Sequence, residues 1–226
     1  MKPISAIVNA RLQSSRTKSK MVRPYCGTDL LEIALKKLNG LDFFTHRFLA
    51  VAEDELARKA EKYPYVQVLK RKPEAVEPGP HHPMITFEHY TRVPTDWFFV
   101  INPCSAFLTP ETIRRAFDVF QQTDHRAYIA VEKTRDWIFS AGGDALTHRN
   151  AAGFQNTSDG DYFLRATHAF YISSRDYFSS HDGQLWTLQR NDPHLIPMPT
   201  EEAVDVDTDL DFEISEYLYG RKYGKR

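Results

Sequence analysis

Only two cysteines, Cys26 and Cys104, occur in 226 residues. Their scarcity and separation exclude a disulfide framework and a cysteine-built zinc site, and they fit a reducing compartment. Charge of one sign is missing too, since 29 Lys and Arg nearly balance 30 Asp and Glu. No global field therefore draws the chain to nucleic acid or to an anionic membrane, and any basic site must be local. Internal repeats and low-complexity tracts are absent. Residues 1–9 hold a short apolar run without a long h-region or cleavage site, and no stretch reaches the length of a membrane span. The expectation is a cytoplasmic protein with neither a membrane nor a nucleic acid as partner.

What is present is an ordinary folding composition: 42% hydrophobic and 26% charged residues, which argues against disorder. The length suits one large domain, 1–226, with room for a small insertion. Residues 5–9 read as a short buried strand followed by a basic loop. A helix follows, with Leu30, Leu31, Ile33, Ala34, Leu35 and Leu38 at helical spacing, Asp29 as N-cap and Asn39-Gly40 as the stop. Residues 48–51, 54–63 and 66–69 continue as strand, helix and strand. This β-α-β-α-β alternation predicts a doubly wound, mostly parallel α/β sheet, whose ligands lie beyond the carboxyl ends of the strands.

Residues 72–84, rich in proline and histidine, read as loop, with a helix around 85–90. Residues 97–101 (WFFVI) are the most hydrophobic run and read as a central strand. A helix over 109–122 follows, with Thr109 as cap and Pro110 in the first turn. Strands are expected at 127–131, 167–172 and 204–206, with a last helix over 209–219. Periodicity weakens from Thr134 to Asp161, and 134–166 is the candidate inserted arm.

Three segments carry chemistry. In the first, Arg11, Arg16, Lys18, Lys20 and Arg23 fall together with no acidic residue between them. Taken alone, such a stretch is a solvated basic turn. Directly after the first strand, it sits where a triphosphate would be held, with cations aimed at the oxygens that gain charge as pyrophosphate leaves. The third segment is Val204-Asp205-Val206-Asp207-Thr208-Asp209-Leu210-Asp211. On a strand, Asp205 and Asp207 share a face and suit a Mg²⁺ ion, while Asp209 and Asp211 belong to the N-terminus of the last helix.

The opening resembles the AR-x-x-S-x-R-x-x-x-K signature of the sugar cytidylyltransferases that activate sialic acids, related nonulosonic acids and 3-deoxy-manno-octulosonate. Ala10, Arg11, Ser14, Arg16 and Lys20 match it in register, and Pro24 with Leu30-Leu31 continue the pattern. The second segment, from Phe98 to Ile113, is similar to the family's strand–QPTSPLR–helix, with Asn102 in place of the glutamine and with Pro103 and Ser105 in agreement. The third segment is similar to the family motif D-I-D-T-x-x-D-F.

The resemblance implies a Rossmann-like fold of the nucleotide-diphospho-sugar transferase type, a homodimer with 134–166 as its arm, and transfer of CMP from CTP to an acidic sugar. In that reading Arg11, Lys20 and Asp207 are catalytic. The nucleotide is contacted by Ala10, Arg11, Ser14, Arg16, Lys20, Arg71 and Asn102. The sugar meets Asn102, Ser105, Arg165 and Tyr171, and Mg²⁺ is held by Asp205 and Asp207.

Departures from the pattern are specific. Leu12, Gln13 and Ser15 replace frequent glycines, Leu108 replaces a common arginine, and Cys104 stands where octulosonate enzymes carry a metal-binding aspartate. Cys104 itself reads as a small buried hydrophobe. Arg165 reads either as an exposed strand arginine or as the partner of a sugar carboxylate. His81, His82 and His89 lack the spacing of a metal site. Two rival readings stand beside the first: a nucleotidyltransferase for a phosphonate or neutral sugar, and a non-catalytic nucleotide-binding relative.

Overall fold

A computed structural model describes residues 1–14, 17–77, 79–147 and 162–224. Its chain order is β1 (Ile4–Asn9), α1 (Leu30–Lys37), β2 (His46–Val51), α2 (Asp54–Ala60), β3 (Gln67–Lys70), α3 (Pro83–Thr86), β4 (Trp97–Ile101), α4 (Pro110–Gln122), β5 (Ala127–Thr134), β6 (Phe163–Ser174), α5 (Arg175–Ser180), β7 (His194–Pro197) and α6 (Asp209–Tyr223). The seven strands form one sheet in the order β3-β2-β1-β4-β6-β5-β7. β6 runs antiparallel to both its neighbours, and the remaining pairs are parallel. The chain winds outward from β1 to β3 and then crosses to β4 on the other side of β1. That reversal places a topological switch point, and hence a crevice, at the carboxyl ends of β1 and β4.

Alternation along the strands builds a core on each face. Ile4, Ala6 and Val8 of β1 face a large cluster with α1, α4 and Phe212 of α6, whereas Ile7 faces a second one with Phe98, Val100, Tyr90 and Phe178. Local chemistry fixes the helix starts. The Asp29 carboxylate accepts from Glu32 N at 2.8 Å, and Thr109 Oγ1 accepts from Thr112 N at 3.2 Å. Thr208 and Asp211 form a full capping box at α6. Among the described residues no helix is long and apolar enough to cross a membrane.

Several expectations need correction. Residues 204–206 form no strand, because both edges of β4 are already taken by β1 and β6; the segment runs extended and is tied by Val206 N donating to Cys104 O at 3.2 Å. The helix expected at 85–90 is instead the short α3 followed by a 3₁₀ turn over Glu88–Arg92. β7 and α5 fall where no element is expected. The arm's assigned end lies inside β6, since Thr134 pairs with Phe163 and Glu132 with Arg165. Residues 148–161 of that arm lie outside the described residues.

One buried charge marks the core next to the second segment. Lys37, 7% exposed, donates Nζ to Ser105 O at 2.6 Å. Burial pushes its pKa down from 10.5 to about 7, against the pull of Glu202. The folded state therefore holds fewer protons than the unfolded chain between those values. This group's contribution to stability is fully present above 10.5 and is lost as pH falls towards 7. Urea titrations at about pH 7.5 and about pH 9.5 should show wild type gaining on Lys37→Met at the higher pH, by up to about 1.4 kcal/mol per unit for one proton. An equal difference at both pH values would show that Lys37 stays charged in the fold.

Candidate active site

The basic loop leaves β1 at the switch point and is clamped at both ends. Ala10 N donates to Ala50 O at 3.1 Å, Leu12 N donates to Glu53 Oε1 at 2.8 Å, and Leu31 N returns to Met21 O at 3.2 Å. Between these, Thr17 N donates to Ser14 Oγ at 3.3 Å, and Ser19 takes a positive φ of 53°. The loop is thus shaped without the glycines common in the resembling family.

The loop folds back onto the acidic segment. Lys20 Nζ donates to Val206 O at 2.8 Å and lies 3.6 Å from Asp207 Oδ1, and Thr17 Oγ1 donates to Asp207 O at 3.0 Å. The Lys20 side chain is 13% exposed and that of Asp207 39%, so their attraction is less screened than that of a surface pair. Next to them, Asn102 Nδ2 donates to Asp205 Oδ1 at 3.3 Å, while Asn102 Oδ1 accepts from Cys104 N at 3.0 Å. The amide orientation follows from those two contacts. Burial, and then the charge of Asp207, raise the pKa of Asp205, with Lys20 and His168 pulling it back. Two carboxylates so placed repel each other and attract a cation.

A cleft of about 440 Å³ opens beside this junction, lined among others by Asn9, Ala10, Arg11, Ser14, Lys20, Arg71, His81, Thr86, Phe87 and Asn102. Arg71 is buried in its wall and donates Nη2 to Ala75 O at 2.8 Å and to Thr86 O at 3.0 Å, with Nη1 3.5 Å from Ala10 O. Burial lowers its pKa, and the three carbonyls hold the guanidinium in one orientation. Below the floor a buried polar chain runs from His89 Nε2 to Asn9 Oδ1 at 2.8 Å, from Asn9 Nδ2 to Tyr90 OH at 2.6 Å, and from Tyr90 OH to Tyr171 OH at 2.6 Å. Asn9 Oδ1 is an acceptor, so Nε2 of His89 carries the proton. Burial, with Arg71 and Arg92 adding to it, pushes the His89 pKa down to about 2, and the ring is neutral.

The structure thus brings together Ala10, Arg11, Ser14, Lys20, Arg71 and Asn102 around the cleft, with Asp205 and Asp207 at its edge. Arg16 lies outside the described residues. Ser105, expected at the sugar, is 1% exposed, and its carbonyl accepts from Lys37; it builds the turn after β4 and does not line the cleft. Tyr171 sits beneath the floor, bonded to Tyr90, and burial raises its pKa well above the ordinary value. Arg165 is committed elsewhere: its Nε donates to Glu132 Oε1 at 2.7 Å, and Nη2 reaches the same oxygen. Cys104 is buried, and its pKa is pushed up to about 11 by that burial, as a small apolar filler requires.

Sequence reading missed His81, Thr86 and Phe87. The Pro/His-rich stretch signals a loop but not that it folds over the carboxyl end of the sheet. Among the described residues no three His, Cys, Asp or Glu gather as a ready-made metal site.

A doubly wound sheet with a basic loop at its switch point, closed against two carboxylates, defines a nucleotidyltransferase-type α/β protein. The family model described as "Cytidylyltransferase" matches residues 5–189, and the chain belongs to that family. It is 22% identical to the post-translational flagellin modification protein B of Campylobacter coli, over 98% of this chain and 97% of the relative. Among solved structures it is similar to CMP:2-keto-3-deoxy-manno-octonic acid synthetase complexed with CTP, with TM-score 0.69 and 10% identity over 98% of this chain and 100% of that one. It is also similar to 4-diphosphocytidyl-2C-methyl-D-erythritol synthase from Anaerococcus prevotii, with TM-score 0.67 and 13% identity over 97% and 99% of the two chains. At such identities the structural likeness bears on the fold.

Proposed function

We propose that the protein transfers CMP from CTP to an acidic sugar of the nonulosonate or octulosonate class and releases pyrophosphate. The observation that carries this reading is the meeting of Lys20 with the Val206–Asp207 backbone and carboxylate beside a cleft lined by Arg11, Ser14 and Arg71. The likeness to a flagellin modification protein and to a CMP-octonic acid synthetase supports an acid sugar as acceptor. The likeness to a methylerythritol cytidylyltransferase keeps a different acceptor as the second reading.

In this reading the acceptor hydroxyl oxygen bonds to the α-phosphorus as the bridging oxygen to the β-phosphate departs with pyrophosphate, and the hydroxyl proton is released. Lys20 and Arg11 sit at the leaving phosphates, where charge grows most in the transition state. Arg71, held by three carbonyls, presents a fixed edge to the nucleotide. Asn102 orients Asp205 and spans the nucleotide and acceptor sides. Asp205 and Asp207 are hard oxygen donors whose mutual repulsion a divalent cation relieves. Two carboxylates together with substrate phosphates are the donor set Mg²⁺ takes, so these two residues would hold it. When bound, it supplies charge neutralisation at the α-phosphate. The 134–166 segment remains our candidate for a homodimer contact.

Pyrophosphate release measured over CTP, UTP, ATP and GTP against a panel of acid sugars, neutral sugars and phosphonates should show CTP with an acid sugar preferred at least about tenfold, equivalent to about 1.4 kcal/mol. Equal rates with UTP would overturn the cytidine assignment, and a faster phosphonate or neutral sugar would establish the second reading.

A further inference from the structure

No strand pairing among the described residues holds the acidic segment. After a 3₁₀ turn over Thr200–Glu202, residues 203–207 run extended outside the sheet. Hydrogen bonds set their place, and the first of these comes from the turn itself. Glu202 is 7% exposed, and its carboxylate accepts from Thr109 N at 2.9 Å and from the Thr109 hydroxyl at 3.0 Å. Thr109 is the N-cap of α4. In a capping box the N-cap N–H is taken by a Glu or Gln side chain at the third helical position, but that position is Thr112 here, whose own N–H donates to Thr109 Oγ1. Glu202 therefore supplies, from a distant part of the chain, a contact that helices ordinarily make locally. It ties the start of the acidic segment to α4.

A buried carboxylate is costly unless it is hydrogen-bonded and paired. A buried cation acting on Glu202 is Lys37, which donates to Ser105 O. Both side chains thus hold the turn between β4 and α4, Lys37 at Ser105 and Glu202 at Thr109. The same turn begins with Asn102, whose Nδ2 meets Asp205 Oδ1, and it offers Cys104 O to Val206 N. The acidic segment is thereby fastened at two separated points, Glu202 and Val206. One point would leave the segment free to pivot; two fix its direction. Glu202 does not line the cleft, so it acts through the segment and not on the substrate. We infer that Glu202 is a positioning residue for CMP transfer: by its reach to Thr109 it sets where Asp205 and Asp207 stand relative to Asn102 and Lys20. This rests on the transfer reading above.

Two substitutions separate reach from charge. Glu202→Gln keeps the length and an acceptor for Thr109 N, whereas Glu202→Asp keeps the charge and shortens the reach by one methylene. Steady-state kinetics with CTP and an acid sugar, normalised to CTP sites counted by calorimetry, should show kcat falling at least about tenfold in Glu202→Asp, since small misplacements of reacting groups cost rate steeply. The KM for CTP should move less than about threefold, because the cleft lining is untouched, and the conservative Glu202→Gln should lose less than about threefold in kcat. A wild-type kcat per CTP site in Glu202→Asp, whatever its melting temperature, would make the contact a helix cap only and overturn the inference. A loss in Glu202→Gln as deep as in Glu202→Asp would overturn it too. A wild-type protein that binds CTP but turns over no acceptor in the panel would instead overturn the transfer reading, and this inference with it.

Discussion

Lys20→Ala should lower kcat by on the order of 10²–10³, as losing one pre-aimed donor to a developing oxyanion does elsewhere. Lys20 is placed for this by contacts that do not depend on substrate: Nζ rests on Val206 O and beside Asp207, with little solvent around it. The ammonium is therefore in position before the triphosphate arrives, and little reorganisation is needed as charge moves onto the leaving phosphates. The substitution also removes one of the direct ties between the loop and the acidic segment, so a melting curve belongs beside the kinetics. The hydrogen bond from the Thr17 hydroxyl to Asp207 O survives it, as do the clamps at Ala10, Leu12 and Leu31. The fold should persist with a loss of a few kcal/mol at most, in the range of one hydrogen bond to a charged group. Unchanged turnover in a folded Lys20→Ala preparation would make the protein a nucleotide binder without this chemistry.

The second large effect is expected at Asp207. Asp207→Asn keeps the shape of the side chain and removes the charge, so it discriminates between a cation ligand and a structural contact. Turnover should fall by on the order of 10³, equal to about 4 kcal/mol of lost charge stabilisation. The more direct readout needs no catalysis: CTP binding followed by calorimetry with Mg²⁺ and with chelator present. Wild type should bind CTP more tightly with the metal, and Asp207→Asn should lose that gain. A variant that retains the full metal response would leave Asp205 and the phosphates as sufficient ligands and remove Asp207 from the site.

Much of the fold is legible in the sequence, for reasons visible at particular residues. Ile4, Ala6 and Val8 against Ile7, the Asp29 and Thr109 caps, and the WFFVI run all carry their structure in local pattern, because a parallel sheet buried on both faces must be apolar and its helices must be capped. Residues 204–206 misled because apolar and acidic residues alternate there as in a strand, yet a strand needs a free edge and β4 has none. The short elements α5, β7 and α3 have too few residues for periodicity to declare them.

At the site, the sequence itself determined the chemistry on offer: a run of cations after the first strand, an amide after the central one, and a pair of carboxylates before the last helix, in family order. Tertiary structure decided which of them meet. Lys20 and Asp207 are far apart in the chain and come within 3.6 Å only because the crossover from β3 to β4 brings the carboxyl ends of β1 and β4 together. It also withdrew Arg165 into an ion pair and buried Ser105 in a turn. Residue type fixes what a side chain can do, but distance and backbone dihedral are properties of the packed chain.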